Sequence, residues 1–375
     1  MRKLRTKRAI IATALALAAV LGAGGWAADT QTALTGPPPG SAAWTADTAI
    51  GLRLPDPATT TPAQVAAFFA GLTPTQQEAL AARHPLVVGN LDGAPVRLRY
   101  HANTLALTAE RDRELARTTG PALTPQDHQA ARTRVERYRT LLDGGRQILA
   151  FDPRGRGEVA EVFGDLATAP RTAVIVPGSD IDLLTFDRAT EPYGTPAGMA
   201  RALRQATDGR TAVIAWAGYT TPVGVGVDAA TEDLARAGAD RLTRLLDGLA
   251  VSTSPQAPAT VFCHSYGSVV CGLARPTPAR ASALVVLGSP GMGIGSAADL
   301  DPGVPLWATA RNDSDWIGDV PNVRFLGLGH GADPTDPGFG ARPLPSTGSH
   351  GHTGYFAPGT ASLAAYAAIA LGLGR

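Results

Sequence analysis

The chain of 375 residues carries 33 lysines and arginines against 32 aspartates and glutamates, for a formal net charge of +1. This near balance excludes the strongly basic surface of a typical nucleic-acid-binding protein and the acidic field that would attract cationic partners. Hydrophobic residues make up 44% of the chain and charged residues 17%, and there are 43 glycines. The composition therefore predicts a globular protein with a large core and many turns.

The first 28 residues have the three-part layout of a secretory signal peptide. A basic start with five Lys and Arg residues precedes an apolar, Ala- and Leu-rich run at 9–21 and a small-residue stretch at 22–28. This layout predicts export with cleavage after Ala27 or Ala28. An uncleaved N-terminal membrane anchor is the alternative, although the apolar run is short for a spanning helix. We expect a secreted or cell-envelope protein, at the outer face of the cytoplasmic membrane, and the uncleaved alternative would attach to the membrane through its N-terminus.

The remaining chain divides into a predicted linker at 29–58, a mainly helical region at 59–145 and a catalytic domain at 146–375. Periodicity and Thr-Pro caps predict helices at 65–72, from Pro74 to before Pro85, at 105–117 and at 125–142. Short apolar runs then predict strands at 147–151, 158–163, 173–176, 212–216, 260–263, 283–287, 305–308 and 323–326. Helices are predicted between and after them at 196–206, 229–249, 268–274 and 361–373.

Apolar runs that alternate with helices are typical of an α/β fold with a mostly parallel sheet covered on both faces. In such sheets the functional residues lie at the carboxyl ends of the strands. The first two strands flank a Gly- and Arg-rich turn and are predicted to form a hairpin.

A tight strand-to-helix turn at 260–268 carries the candidate nucleophile. Ser265 lies between an apolar strand and a helix, with Gly267 two residues later and Cys263 two residues earlier, where such motifs usually have glycine. A serine on this turn is exposed to a cleft, and the backbone N–H of Tyr266 faces the same space. His264 is predicted to point to the other side of the turn, as a packing or hydrogen-bonding residue.

An activated serine needs a histidine base and a carboxylate that orients it, in the chain order Ser, acid, His. The acid candidates lie just beyond a predicted strand: Asp315 is preferred and Asp313 is second. The base candidates lie in a Gly-rich loop before the last helix: His352 is preferred, His350 is second, and His330 is the weakest because too little chain separates it from the acid loop.

The second oxyanion donor is expected on the turn after the strand at 173–176. The sequence Pro-Gly-Ser-Asp at 177–180 exposes its backbone there, and Ser179 is the preferred donor beside Tyr266. The reaction needs no metal and no organic cofactor, and no residue pattern predicts a metal site.

The two cysteines, Cys263 and Cys271, flank the serine turn. In an exported protein an even count is compatible with a disulfide. The alternative is a pair of small buried apolar side chains. The sequence leaves this choice open.

Several ordered stretches carry a resemblance to a known family. They read FFAGLTPTQQEALAARHPLVVGNLDGAPVRLRYHAN, VIVPGSD, AWAGYTTP, CHSYGSVV, LGSPGMG, NDSDWI, HGADPTDPGFGA and HTGYF, and they cover most of the chain from Phe68 onward. Together they resemble a bacterial family of α/β hydrolases of unknown function, frequent in exported or membrane-associated proteins of actinobacterial type. The resemblance implies an α/β-hydrolase fold and a triad of Ser265, Asp315 and His352, and it implies no particular substrate.

The function expected from this reading is that of a secreted serine hydrolase, esterase- or lipase-like, which cleaves an ester-type acyl bond of a small-molecule or lipid-like substrate. Acyl transfer with the same triad is one alternative, and a catalytically idle envelope-binding protein is another. The chain is expected to act as a monomer. The helical region at 59–145 is expected to serve as a lid or as a supporting wall.

Overall fold

The apolar runs of the second half of the chain pair into one eight-stranded sheet. We describe this sheet from a computed structural model, which covers residues 30–253 and 257–374, so the predicted signal segment lies outside it. Across the sheet the order is β1-β2-β4-β3-β5-β6-β7-β8. The strands are β1 (Gln147–Asp152), β2 (Glu158–Phe163), β3 (Arg171–Val176), β4 (Thr211–Ala217), β5 (Ala259–His264), β6 (Ala281–Leu287), β7 (Leu306–Thr309) and β8 (Arg342–Leu344).

The sheet is parallel from β4 to β8, and the β1–β2 hairpin adds to its edge with β2 antiparallel to β4. The predicted strand at 323–326 is wrong, because those residues form an exposed loop. The eighth strand is β8, which pairs parallel to β7. It escaped prediction because it has only three residues with Pro343 at its centre, a residue that a strand tolerates at an edge.

Helices cover the sheet on both faces and precede it. They are α1 (Ser41–Ala46), α2 (Pro62–Ala70), α3 (Pro74–Arg83), α4 (Pro85–Asn90), α5 (Val96–Arg117), α6 (Pro125–Leu142), α7 (Pro196–Ala206), α8 (Val227–Ala230), α9 (Asp233–Ser252), α10 (Gly267–Ala274) and α11 (Ala361–Ala370). The prediction at 229–249 merged α8 with α9, and α5 begins nine residues before its predicted start. Within the described residues, no helix combines the length and the apolarity needed to cross a bilayer.

Strand periodicity divides the core into two layers. On β3, Val174 and Val176 pack with α9 and α10, while Ala173 and Ile175 pack with α7 and α11. Side chains of a strand alternate between the two faces of its sheet, so a strand buried on both faces is apolar throughout. This explains why continuous apolar runs, rather than alternating ones, marked the central strands in the sequence.

The N-terminal helical region has a core of its own. Trp44, Phe69 and Leu80 are fully buried in it, and so is Leu54, although Trp44 and Leu54 belong to the predicted linker. The region is attached to the edge of the sheet, where the Asn103 side chain donates to the carbonyl oxygen of Ile148 on β1. It therefore stands as a wall behind β1 and α9. The loops that follow β3, β5, β6, β7 and β8 at their carboxyl ends form the candidate site without it.

Candidate active site

The turn between β5 and α10 holds Ser265 in a left-handed backbone conformation, with φ of 55°. Few residues other than glycine adopt this conformation, so it marks a strained position of the kind found at catalytic serines. The Ser265 N–H donates to the carbonyl oxygen of Leu287 at the end of β6, at 3.0 Å. Gly178, on the turn after β3, lies close to the serine, since a Cβ added at position 178 would lie 2.9 Å from the Ser265 Oγ.

A disulfide joins Cys263 on β5 to Cys271 on α10. The bond decides between the two readings that the sequence left open. Both cysteines are fully buried, with their Cα atoms 6.5 Å apart. The position where serine turns usually have glycine faces the following helix, and here its side chain is bonded to that helix. The disulfide thus ties together the two elements between which Ser265 lies.

Asp315 and His352 come together at the carboxyl end of β7. The His352 Nδ1 lies 2.8 Å from the Asp315 Oδ1, which also accepts the backbone N–H of Ile317 at 3.0 Å. The other carboxylate oxygen, Oδ2, accepts the hydroxyl of Tyr355 at 2.5 Å. Burial by itself would raise the pKa of Asp315, but the hydrogen bonds from His352, Tyr355 and Ile317 outweigh it and lower that pKa. The carboxylate is therefore charged and fully occupied by donors.

The outer nitrogen of the same histidine is available for chemistry. The Nε2 of His352 is buried and has no hydrogen-bond partner within the described residues. The imidazole lies between the rings of His264 and Trp316, with centroids 4.7 Å from each. Gly288, at the end of β6, leaves room for it, since a Cβ there would lie 2.9 Å from the His352 Cε1. Hydrogen bonds between a base and its nucleophile often form fully only once the substrate is bound.

His264 faces the candidate base, contrary to the prediction that it points to the other side of the turn. Its Nε2 lies 2.9 Å from the backbone carbonyl oxygen of His352. Burial, with a smaller contribution from the nearby His352, lowers the pKa of His264 to about 3. The imidazole is therefore neutral, and its Nε2–H donates to that carbonyl. The predicted hydrogen-bonding role is thus seen, and the bond supports the loop that carries His352.

The alternative candidates lie elsewhere. Asp313 and His350 are exposed. His330 is buried against the ring of Tyr266, and its Nε2 lies 2.7 Å from the carbonyl oxygen of Ala229, so it contacts neither Ser265 nor Asp315. The structure therefore brings His352 and Asp315 together and leaves the second-choice residues outside the pair.

The backbone N–H groups of Tyr266 and Ser179 are among those near Ser265 that have no acceptor within the described residues. The Tyr266 side chain points away from the cleft, where its hydroxyl donates to the carbonyl oxygen of Thr231 at 2.8 Å. Ser179 follows Gly178, which touches the serine. The two free donors match those expected for an oxyanion hole. In residues 30–253 and 257–374, no three His, Cys, Asp or Glu side chains are grouped as a metal ion would need.

Comparison with known sequences finds one family whose model matches the central part of the chain. The sequence pattern of a family described as "Alpha/beta hydrolase" matches residues 152–325, a segment that includes Ser265 and Asp315 and ends before His352. Together with the sheet order and the position of the serine turn, this match shows that the chain has the α/β-hydrolase fold.

The similar curated proteins are described as uncharacterized. An uncharacterized protein of Mycobacterium tuberculosis is 29% identical over 377 residues, which cover 85% of this chain and 56% of that protein. An uncharacterized protein of Mycobacterium bovis is 34% identical over 173 residues, 44% of this chain and 64% of that protein. The chain thus spans about half the length of the first of these relatives. Among solved structures, the apo form of Thermogutta terrifontis esterase 2 matches 58% of this chain and 91% of its own, with 13% identity and a TM-score of 0.32.

Proposed function

We propose that the protein is an exported serine hydrolase that cleaves an ester-type acyl bond. The observation that carries this proposal is the position of Ser265 on a left-handed turn at the carboxyl end of β5, in the same loop cluster as a buried Asp315–His352 pair whose outer nitrogen is free. A serine, a base and an orienting carboxylate are the parts that acyl transfer through a covalent intermediate needs.

In this mechanism the Ser265 Oγ attacks the substrate carbonyl carbon while His352 Nε2 takes its proton. The oxyanion that forms is held by the N–H groups of Tyr266 and Ser179. Collapse of the tetrahedral intermediate breaks the bond to the alcohol, which leaves with the proton from His352. Water then repeats the sequence on the acyl-enzyme and frees Ser265. Asp315 fixes the tautomer of His352 and stabilises its cationic form.

Export is supported by two features of the chain. The layout of residues 1–28 is that of a signal segment or N-terminal anchor. The disulfide between Cys263 and Cys271 is a bond that persists in oxidising compartments outside the cytoplasm. We therefore place the enzyme outside the cytoplasmic membrane, acting as a monomer on a small-molecule or lipid-like ester without a cofactor.

Labelling with a fluorophosphonate probe tests the catalytic proposal. The wild-type chain should label at Ser265 and hydrolyse short p-nitrophenyl esters, and Ser265→Ala should lose labelling and at least about 10⁴-fold in kcat/KM. Ser268→Ala is the matched control. It lies three residues away and is fully buried, with its hydroxyl donating to the carbonyl oxygen of Cys263, so it should keep labelling. Robust turnover by Ser265→Ala, or a wild-type chain that neither labels nor turns over, would overturn the proposal.

A further inference from the structure

Half of the exposed large apolar side chains lie in two stretches at the edge of the sheet that carries the candidate active site. Of the twelve that are exposed within the described residues, six lie either between Val223 and the first residue of α8, beyond β4, or at 323–326, beyond β7. These six are Val223, Val225, Val227, Val323, Phe325 and Leu326. Parallel strands direct their carboxyl ends to one edge of the sheet, which is the edge that holds Ser265. Single exposed apolar residues need no explanation, but a cluster of them marks a surface with a partner.

The 323–328 loop places a leucine at a turn position where asparagine or glycine is usually found. The N–H groups and carbonyl oxygens of Phe325 and Leu328 bond reciprocally, at 2.9 and 3.0 Å, and close a two-residue hairpin turn. Both residues between them have positive φ, 49° at Leu326 and 83° at Gly327. Such turns favour Asn-Gly, because a branched apolar side chain is strained in this conformation and gains nothing in water. Here Leu326 occupies the strained position and is 86% exposed, beside Phe325 at 62%.

Hydrogen bonds and an ion pair hold the base of this loop on the protein, whereas the side chains at its tip are exposed to solvent. The Gly329 N–H donates to the carbonyl oxygen of Ala230, and Arg324 pairs with the buried Glu232 at 2.9 Å. The Asn322 side chain donates to the carbonyl oxygen of Pro290, just beyond the end of β6. The framework therefore holds the two apolar side chains of the tip outward, and backbone strain at such a place indicates a function rather than a packing requirement.

The valine loop, residues 222–227, flanks the oxyanion turn. The Asp180 N–H donates to the carbonyl oxygen of Pro222 at 2.9 Å, and the Gly224 N–H donates to the Asp180 Oδ1 at 2.8 Å. Asp180 directly follows Ser179, one of the two proposed oxyanion donors. The exposed valines of this loop therefore lie next to the site where a substrate carbonyl would bind.

The chain enters the fold at the same face. The Gln31 N–H donates to the Asp228 Oδ2 at 2.6 Å, one residue beyond the valine loop, and the Leu34 N–H donates to the hydroxyl of Thr220 at 3.0 Å. Nine residues, 22–30, separate the apolar segment at 9–21 from Gln31, and the ten Cα–Cα steps between residues 21 and 31 reach at most about 35 Å when fully extended. In the uncleaved form of the chain, a membrane that holds this segment is thus within reach of the two apolar loops and of the active-site entrance.

We infer that the 323–328 loop and the valine loop insert into a lipid bilayer and present the active-site entrance to esters held in that bilayer. This inference rests on the proposed ester hydrolysis and names where its substrate lies. The contact is that of a protein lying on a membrane, whose binding strengthens with the apolar area it buries there. Soluble esters need no such contact, so the two loops affect only substrate taken from lipid.

The first test measures insertion in the full chain. A fluorophore sensitive to polarity is attached to Leu326→Cys, and in a second protein to Leu373→Cys. The native cysteines are joined in the disulfide, so one thiol reacts in each. Leu373 is the matched control because it is 66% exposed and lies near Arg171, at the amino ends of the strands. With phosphatidylcholine–phosphatidylglycerol vesicles, emission should shift to the blue and resist an aqueous quencher at position 326 alone. No shift at 326, or equal shifts at both positions, overturns the inference, the latter showing that residues 1–29 alone hold the protein on lipid.

The second test separates this inference from the proposed catalysis. Leu326→Asp should bind vesicles about ten-fold more weakly or worse, since a charge is costly in lipid, while Leu373→Asp binds as the wild type does. Leu326→Asp should hydrolyse p-nitrophenyl acetate normally and lose about the same factor on a long-chain ester embedded in the vesicles. Vesicle binding without any hydrolysis would refute the catalytic proposal alone. Normal hydrolysis of both esters by Leu326→Asp would refute the membrane contact alone, and concentration-dependent dimers lost in this variant would assign the loops to a second copy.

Discussion

The disulfide at the serine turn provides a prediction whose size follows from the structure. Its two cysteines are eight residues apart in sequence, so the bond closes a short loop in the unfolded chain. The loss of chain entropy in such a loop corresponds to about 2.5 kcal/mol of stability at 25 °C. The unfolding entropy of a chain of 375 residues converts this into a fall of about 3 °C in Tm when the bond is absent.

Reduction is the cleanest perturbation, because the thiol form keeps every side chain. The protein is unfolded and refolded with and without reductant, the thiols are counted by mass spectrometry, and both forms are melted by calorimetry. The Cys263→Ala/Cys271→Ala double variant is the control, and its Tm should not respond to reductant.

The reasoning is refuted if the oxidised and reduced forms melt within about 1 °C of each other. It is refuted equally if reductant lowers the Tm of the double variant as much as that of the wild type. Two free thiols in protein recovered from outside the cytoplasm would refute the bond itself.

Two further predictions concern the groups around the catalytic pair. Tyr355→Phe removes the hydroxyl that donates to the Asp315 Oδ2, and this loss raises the pKa of Asp315. The kcat/KM should fall about ten-fold, which is the usual cost of a lost hydrogen bond to a charged group, and the acid limb of the pH profile should move to higher pH. An unchanged pH profile would contradict the assignment of Tyr355. Burial lowers the pKa of His264 from its ordinary value of 6.5 to about 3, so between these two pH values the unfolded chain binds a proton at this residue and the folded chain does not. The Tm should therefore fall as the pH drops from 7 to 5, and it should fall less steeply in His264→Gln. Equal slopes of Tm against pH in the two proteins would contradict this assignment.

The fold was predictable from the sequence to the extent that local pattern determines it. The central strands are buried on both faces, so their apolar runs stood out. The edge of the sheet was harder to predict: β8 has three residues around a proline, whereas the Val-Arg-Phe-Leu stretch at 323–326 resembles a strand in its sequence. The Val, Phe and Leu side chains of this stretch indicate a segment with low affinity for water. The sequence alone does not tell whether the rest of the protein or a lipid phase covers these side chains.

The preferred site residues could be chosen from their order in the chain, whereas the residues that hydrogen-bond to them could not. Ser265, Asp315 and His352 occur in the order that the α/β-hydrolase plan requires. Ser265 and Asp315 were predicted to lie beyond strands, and His352 in the loop before the last helix. The supporting contacts of His264 and Tyr355 are made across long stretches of chain and depend on packing. The signals that were present, a histidine next to the serine and a tyrosine three residues after His352, indicate nothing until the loops are placed.

The loop contacts explain why Asp315 and His352 are paired and their neighbours are not. The Gly351 N–H donates to the Ser314 hydroxyl, and the Gly351 carbonyl accepts the side-chain amide of Asn312, both at 2.8 Å. Residues just before the acid therefore clamp the residue just before the base, and this sets the register between the two loops. Because the clamp holds position 351, the next side chain, His352, is the one that reaches the carboxylate. The NDSD sequence thus supplies both the acid and the alignment of its partner, which is a stronger reason to choose Asp315 than its position after a strand.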